Sequence, residues 1–195
     1  KENIVGTLAS FGINFAKLSG EDMAYADLGR FDAIVIGPNA YLLSENLRKY
    51  SQRFLDYVDG GGTLIVQFQG YGFEGKGFAP YSFRYNQPHD RVTNENAKVS
   101  MLDPKHLIFQ YPNAIRPEDF HGWVHDRGMY FFREWDKHLK PLLSCADAGE
   151  EQQEGGLLVG ARNRGTYIYT GYSFYRQLPA GVAGALRLFV NILSL

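Results

Sequence analysis

Apolar positions in this chain recur at several spacings, and each change of spacing marks a boundary between elements. Over residues 2–11, Ile4, Val5, Leu8 and Phe11 fall at helical spacing, and Gly12 follows as a stop. Ile13 to Leu18 reads as a short strand. A helix in first place suggests that a preceding strand, the first of a sheet, has been lost. Asp32-Ala-Ile-Val-Ile-Gly37 is a continuous apolar run, the pattern of a parallel strand covered on both faces. Ser44 then caps a helix with an apolar stripe at Leu47, Tyr50, Phe54, Leu55 and Val58. Gly60 to Gly62 stop that helix and lead into Thr63-Leu-Ile-Val-Gln-Phe68, which leaves through Gln69-Gly70-Tyr71-Gly72. Two strands around a helix of this length predict a right-handed βαβ unit. In open α/β sheets ligands collect where such strands end, so Phe68 to Gly72 marks the expected functional edge.

Beyond Gly70 the periodicity dissolves into Gly, Pro and aromatics: Tyr71, Phe73, Phe78, Tyr81, Phe83 and Tyr85. This is a long insertion at the place of a binding loop. Val92 to Leu102 reads as extended, Pro117-Glu-Asp-Phe120 as a first helical turn, and Met129 to Phe132 and Leu142 to Cys145 as strands. Gly156 to Val159 and Thr166 to Thr170 predict a hairpin over Arg162-Asn-Arg-Gly165. Pro179 to Leu193 is an amphipathic helix with Val182, Leu186, Phe189, Val190 and Leu193 inward.

Composition narrows the function classes. With 195 residues, 45% hydrophobic and 21% charged, the chain fits one globular domain. A net charge of -1 with interspersed signs gives no electrostatic case for nucleic acid or an anionic membrane surface. No apolar run approaches the roughly 18 to 20 residues of a membrane span. The single cysteine, Cys145, permits no internal disulfide. The start at Lys1, without Met or a signal-peptide pattern, leads us to expect a domain excised from a longer protein.

Four phrases carry a resemblance: Phe31-Asp-Ala-Ile-Val-Ile-Gly-Pro-Asn-Ala-Tyr41; Asp119-Phe-His-Gly-Trp-Val-His-Asp-Arg-Gly-Met-Tyr130; Glu134-Trp135 with Pro141-Leu-Leu-Ser-Cys145; and Tyr169-Thr-Gly-Tyr-Ser-Phe-Tyr-Arg-Gln-Leu-Pro-Ala-Gly181. With the order of elements they make the chain resemble the class I glutamine amidotransferase-like superfamily. Within it, the chain is most similar to the accessory domain that follows the deacetylase domain in large bacterial PIG-L (LmbE-like) proteins. The resemblance implies a flavodoxin-like three-layer α/β sandwich with a mainly parallel central sheet. It also implies a non-catalytic role, with the deacetylase domain of the same polypeptide as partner. Many large relatives are exported, which implies a periplasmic or secreted setting. Active members carry a Cys on the elbow after the strand and a His-x-Glu pair after a late strand. Here the elbow positions are Phe68 and Gln69, and Tyr172-Ser173-Phe174 follows the late strand, so the triad is missing. The zinc motif of the deacetylase domain is also absent from this chain.

Other candidate chemistry is thin. Gly70-Tyr-Gly-Phe-Glu-Gly75 spells the dinucleotide pattern G-x-G-x-x-G after a strand, but Lys76-Gly-Phe-Ala-Pro80 cannot open the helix that would hold the pyrophosphate. His121 and His125 have i, i+4 ligand spacing with Asp119 and Asp126 nearby, yet Gly122 and Trp123 interrupt the helix and no third ligand is placed. Cys145 sits in an apolar strand end, as a buried thiol does. No catalytic residue, metal or cofactor is therefore assigned. The remaining signal is aromatic: 15% of the chain, interleaved with Arg84, Arg127, Arg133 and Arg176. Aromatic faces beside planar donors suit sugar rings and interfaces alike. We expect a ligand-binding set of Gln69, Tyr71, Tyr81, Arg84, Tyr172, Tyr175 and Arg176 at the carboxyl edge, serving carbohydrate binding or domain packing. The competing readings are a free-standing hydrolase with a non-standard His, Asp and Arg site at the same edge, and a module that drives oligomerisation.

Overall fold

The computed structural model describes residues 4–195, with side chains from residue 6 onward. The first helix, α1 (Ile4–Ser10), ends before Gly12, which takes the left-handed φ of 74° that favours glycine. Residues 2 and 3 of the expected helix, and the side chains of Ile4 and Val5, lie outside the described residues. No strand forms over Ile13 to Leu18. That segment instead leads to α2 (Gly20–Tyr25), started by a capping box in which Ser19 and Asp22 satisfy each other's backbone N–H.

The predicted βαβ unit is present. β1 (Ala33–Ile36) is followed by α3 (Ala40–Leu43), α4 (Glu45–Lys49), α5 (Ser51–Asp59) and β2 (Thr63–Gln67). Ser44 caps α4 by accepting from the Leu47 N–H at 3.1 Å. The single helix expected from Ser44 is broken at Tyr50, which leaves helical geometry, while Leu47, Phe54, Leu55 and Val58 are buried as the stripe requires. β2 pairs in parallel with β1 from Ala33↔Thr63 to Ile36↔Val66, and all five of its residues are buried.

Next come β3 (Phe83–Val92), β4 (Val99–Met101), β5 (Gly128–Trp135), β6 (Lys140–Pro141), β7 (Leu143–Cys145), β8 (Leu157–Arg162) and β9 (Gly165–Thr170). The chain closes with α6 (Phe174–Gln177) and α7 (Ala183–Leu193). The main sheet has the order β1-β2-β9-β8-β6. Only β1–β2 and β2–β9 pair in parallel, whereas β9–β8 and β8–β6 are antiparallel.

This overturns the expected flavodoxin-like sandwich with a mainly parallel sheet: the sheet is mixed. The reason is local. A parallel neighbour needs a long crossover. The segment from Phe68 to Gly156, which holds 3-10 turns at Leu107–Phe109 and Pro117–Phe120 but no α-helix, lies within the connection from β2 to its parallel neighbour β9. By contrast, β8 joins β9 through a tight turn. The expected hairpin turn at Asn163–Arg164 then forces β8 to run against β9.

Sheet side chains alternate between two cores. Ile65, Leu157 and Ile168 face α7, α1 and the small antiparallel pair β4–β7. Leu64, Val66, Leu158, Tyr167 and Tyr169 face α5 on one part of the opposite side. The rest of that side is covered by the antiparallel ribbon β3–β5, which occupies the place of a helical layer. Phe132 of the ribbon stacks on Tyr169 at 3.8 Å and on Phe83 at 3.9 Å between centroids. Burying an aromatic of this size contributes roughly 1.5–3 kcal/mol, so a few such rings suffice to hold the ribbon down.

Candidate functional site

Three chain segments leave the parallel strands at their carboxyl ends: Gly37 to Asn39, Phe68 to Gly70 and Gly171 to Ser173. The first two are tied together through Gln69. Its side-chain oxygen accepts from the Tyr41 N–H at 3.0 Å, and its amide nitrogen donates to the carbonyls of Gly37 at 2.9 Å and Gln67 at 2.8 Å. Asn39, in the left-handed region at φ 54°, completes the clamp: its backbone N–H donates to the Phe68 carbonyl and its side chain accepts from the Gly70 N–H. Gln69 is wholly buried, so it builds the edge and offers nothing to a ligand.

Above this clamp lies a cluster of rings. Tyr130 is its centre, stacked with His89 at 3.9 Å and near-parallel to Phe68 at 5.8 Å. Tyr71 meets Tyr130 edge-on at 5.4 Å, and Tyr175 packs on Phe68 at 5.4 Å. Phe68 is buried, Tyr130, His89 and Tyr175 are half-buried, and Tyr71 is 38% exposed. Leu42 of α3 borders the cluster through Gly70 and is also exposed.

The ribbon register explains how these rings meet. Tyr85 pairs with Phe132 and Asp90 with Phe131, so Asn86 to His89 bulge out of β3. On β5, Phe131 and Met129 are paired and Tyr130 is skipped, with φ at 55°. Bulges re-aim side chains, and a bulky residue at positive φ is an outlier held in place by its surroundings. Here the Tyr130 carbonyl accepts from the Tyr169 hydroxyl at 2.5 Å, while the Tyr85 hydroxyl donates to the Gln69 carbonyl at 2.6 Å. The strained residue is thus tied to the sheet through Tyr169, and Tyr85, edge-on to its ring at 5.5 Å, ties the ribbon to the clamp.

Electrostatically the face is close to neutral. Burial lowers the pKa of His89 below its ordinary value, helped by Arg91 and opposed by Asp90. Burial, then the neighbouring Tyr71 phenol, raises that of Tyr130. At one rim Arg176 lies beside Asp126 at 3.3 Å and donates to the Tyr175 hydroxyl at 2.9 Å, with its guanidinium over the Tyr175 ring.

Of the residues singled out from sequence, Gln69, Tyr71, Tyr175 and Arg176 come together at this edge and the other three do not. Tyr172 is buried, hydrogen-bonded to the Cys145 thiol and packed on Trp123 and Phe131. Tyr81 donates to the Ala161 carbonyl near the amino end of β9 and stacks on His138. Arg84 forms an exposed ion pair with Glu134 across the ribbon.

Sequence reasoning placed Phe68 at this edge only as an elbow position without a nucleophile, and missed His89 and Tyr130 as members of the face. The composition showed aromatics, but no local signal gives a bulge its register or an aromatic its positive φ. The glycine pattern from Gly70 to Gly75 leads into turns without a helix, and its Phe73 is buried against Tyr41. Gly122 and His125 both have positive φ, so His121 and His125 do not share a helical face. Asp119 is engaged by Arg187 and Asp126 by Arg176. Among the described residues no group of three His, Cys, Asp or Glu side chains is placed to hold a metal ion, and no helix is long and apolar enough to cross a membrane.

No protein-family model matches the chain, and no curated protein matches it in sequence. Among solved structures it is similar to the cytoplasmic protein STM3548 of Salmonella typhimurium, at 14% identity and a TM-score of 0.63, covering 98% of this chain and 84% of that one. It is similar too to the cytoplasmic protein STM1381 of Salmonella typhimurium LT2, at 17% identity and a TM-score of 0.57, with the same coverage. A cold-adapted beta-galactosidase from Rahnella sp. R3 aligns over 26% of its own length at 14% identity and a TM-score of 0.49, a likeness that carries no argument. At such identities the first two show a shared fold and nothing of activity.

Proposed function

We propose that this domain is a non-catalytic binding module whose ligand face is the ring cluster of Tyr71, His89, Tyr130 and Tyr175. One observation carries the reading: Tyr130 is held at a strained φ of 55° so that its ring stands at the carboxyl edge between half-exposed partners. Strain of this kind costs on the order of 1–3 kcal/mol, and a fold that needed Tyr130 only as filler would relax it into the ribbon. The elbow below supports binding over turnover, because Phe68 is packed and Gln69 spends its whole amide on backbone partners.

Flat, nearly neutral aromatic faces with polar edges fit the C–H faces of pyranose rings. The sequence resemblance to deacetylase-associated accessory domains supports the same ligand class and a place beside a carbohydrate deacetylase in a longer polypeptide. The test is saturation-transfer NMR and calorimetry with N-acetylglucosamine and its β-1,4-linked dimer. We expect millimolar binding, transfer from aromatic protons to the sugar, loss on Tyr71→Ala, and no product. Absence of binding at tens of millimolar, or binding undiminished in a Tyr71→Ala and His89→Ala double variant, overturns the proposal.

A further inference from the structure

A separate groove of about 500 Å³ lies between β4 and the turn Pro117–Phe120, and Arg127 is at its base. Arg127 is only 2% exposed, yet among the described residues it makes no ion pair. Its Nε and Nη2 both donate to the Ala97 carbonyl, at 3.0 and 2.8 Å, and its Nη1 donates to the Phe120 carbonyl at 2.6 Å. The guanidinium also stands over the Trp123 ring, 5.4 Å from its centroid. A guanidinium carries five N–H groups, so these three hydrogen bonds leave two unused.

Burying a cation away from an anion is costly, and carbonyl dipoles offset only part of that cost. Burial is the largest influence on Arg127 and lowers its pKa, as expected of a charge without a close counter-charge; Cys145, Tyr172 and then Glu95 oppose this only through space. Lys98 and His121, both exposed, share the groove with it, and Lys98 has no ion-pair partner among the described residues. Asp119, on the adjoining turn, is occupied by Arg187 and the Arg116 N–H. The rest of the lining is mixed: Asn96 and Ser100 are polar, and Met101, Pro104 and Pro117 give it an apolar stretch.

We propose that this groove seats a small organic carboxylate. Its anionic end is received by the two remaining N–H groups of Arg127 and by Lys98, and its apolar body lies on Met101, Pro104 and Pro117. A guanidinium fork matches a carboxylate in geometry as well as charge, and this seat is independent of the ring cluster at the sheet edge.

The test is NMR of the full chain, following the assigned Nε–H resonance of Arg127 during titration with 3-phenylpropionate at constant ionic strength. We expect a saturable shift with the acid and none with 3-phenylpropionamide, which has the same shape without the charge. The exposed Lys98→Glu substitution should leave the melting temperature in place and weaken binding about tenfold, by turning an attraction beside a partly desolvated anion into a repulsion. Lack of a saturable shift, an equal response to the amide, a response to inorganic phosphate alone, or undiminished binding in Lys98→Glu each overturns the proposal.

Discussion

The imidazole of His89 lies flat on the ring of Tyr130, with centroids 3.9 Å apart and planes 8° from parallel. These residues belong to opposite strands of the ribbon and are paired with nothing in its ladder, so the stack exists only because both strands bulge at the same level. Partial burial in the stack holds His89 below its ordinary pKa.

This has a definite sign. In the folded chain His89 is protonated less readily than in the unfolded chain, so between its folded pKa and about 6.5 the unfolded state binds more protons. The contribution to stability is full above that window and is lost as pH falls through it. His106, also lowered chiefly by burial and then by Lys140, acts in the same direction. Thermal melts at fixed ionic strength should therefore decline from about pH 6.5 downward, ahead of carboxylate titration near pH 4. His89→Phe keeps a flat ring on Tyr130 and should shrink that decline. A His89 ring-proton titration midpoint at or above 6.5 contradicts the argument.

Tyr71 separates binding from stability. Its ring is 38% exposed, and among the described residues its hydroxyl reaches the Asn86 carbonyl at 3.3 Å and His89 at 3.5 Å. Truncation to alanine should cost no more than about 1 kcal/mol, as for other half-exposed positions. Affinity for the N-acetylglucosamine dimer should fall at least about tenfold, since the outermost ring of the face is gone. Denaturant melts and calorimetry on one preparation read both quantities.

Gln69 predicts the opposite pattern. Gln69→Ala removes a donor and an acceptor that serve the Tyr41 N–H and the carbonyls of Gly37 and Gln67, all under a face that excludes water. Unsatisfied buried groups cost about 1–3 kcal/mol each, so denaturant melts should show a loss of about 2–4 kcal/mol. Gln69→Glu should be no better, because the acid cannot donate to two carbonyls while accepting from Tyr41. A loss below about 1 kcal/mol would show that the clamp is not closed in solution.

The parts of the fold legible in sequence were those with local causes. The run Ala33–Ile36, the Ser44 cap, the glycine stop before Thr63 and the turn at Asn163–Arg164 all announce themselves within a few residues. Strand direction over the rest of the sheet does not. It depends on what the segment between Phe68 and Gly156 does, and that segment lacks α-helix and folds back as a ribbon by long-range ring packing. The site divides the same way. Tyr71 and Tyr175 stood at the expected edge by order along the chain, whereas His89 and Tyr130 arrive by register. Tyr172 was misplaced because position after a strand says nothing about whether a ring turns outward or, as here, in toward Cys145.

Cys145 should be chemically silent. It is wholly buried, and burial pushes its thiol up to about 11, against weaker opposing effects from Tyr172 and Arg127. At neutral pH the thiolate fraction is then on the order of a thousandth or less, and the thiolate is the nucleophile. Iodoacetamide at pH 7.5 should modify the native chain only as fast as it opens, and denaturant should release normal reactivity. Prompt stoichiometric alkylation of the native chain would show the thiol to be accessible.

Gly184→Ala reverses a familiar expectation. Glycine in a helix interior is about 1 kcal/mol worse than alanine, so replacing Gly184, the second residue of α7, should by propensity alone be neutral to mildly stabilising. Here a Cβ would lie 1.9 Å from the Asp119 carbonyl oxygen and 2.4 Å from the Asp119 Cα. These are backbone atoms and cannot rotate aside as a side chain would. Asp119 is itself fixed by Arg187 at 3.0 Å and by the Arg116 N–H at 2.8 Å, so moving it breaks those contacts as well. Overpacking of this kind costs about 1–3 kcal/mol, and we expect a net loss of about 2 kcal/mol in a denaturant melt. Gly37→Ala is the matched control, since nothing lies within 4 Å of its added Cβ and its φ is not positive. That variant should stay within about 1 kcal/mol of the parent; a Gly184→Ala variant as stable as the Gly37→Ala control would mean that α7 does not pack on the Pro117–Phe120 turn as described.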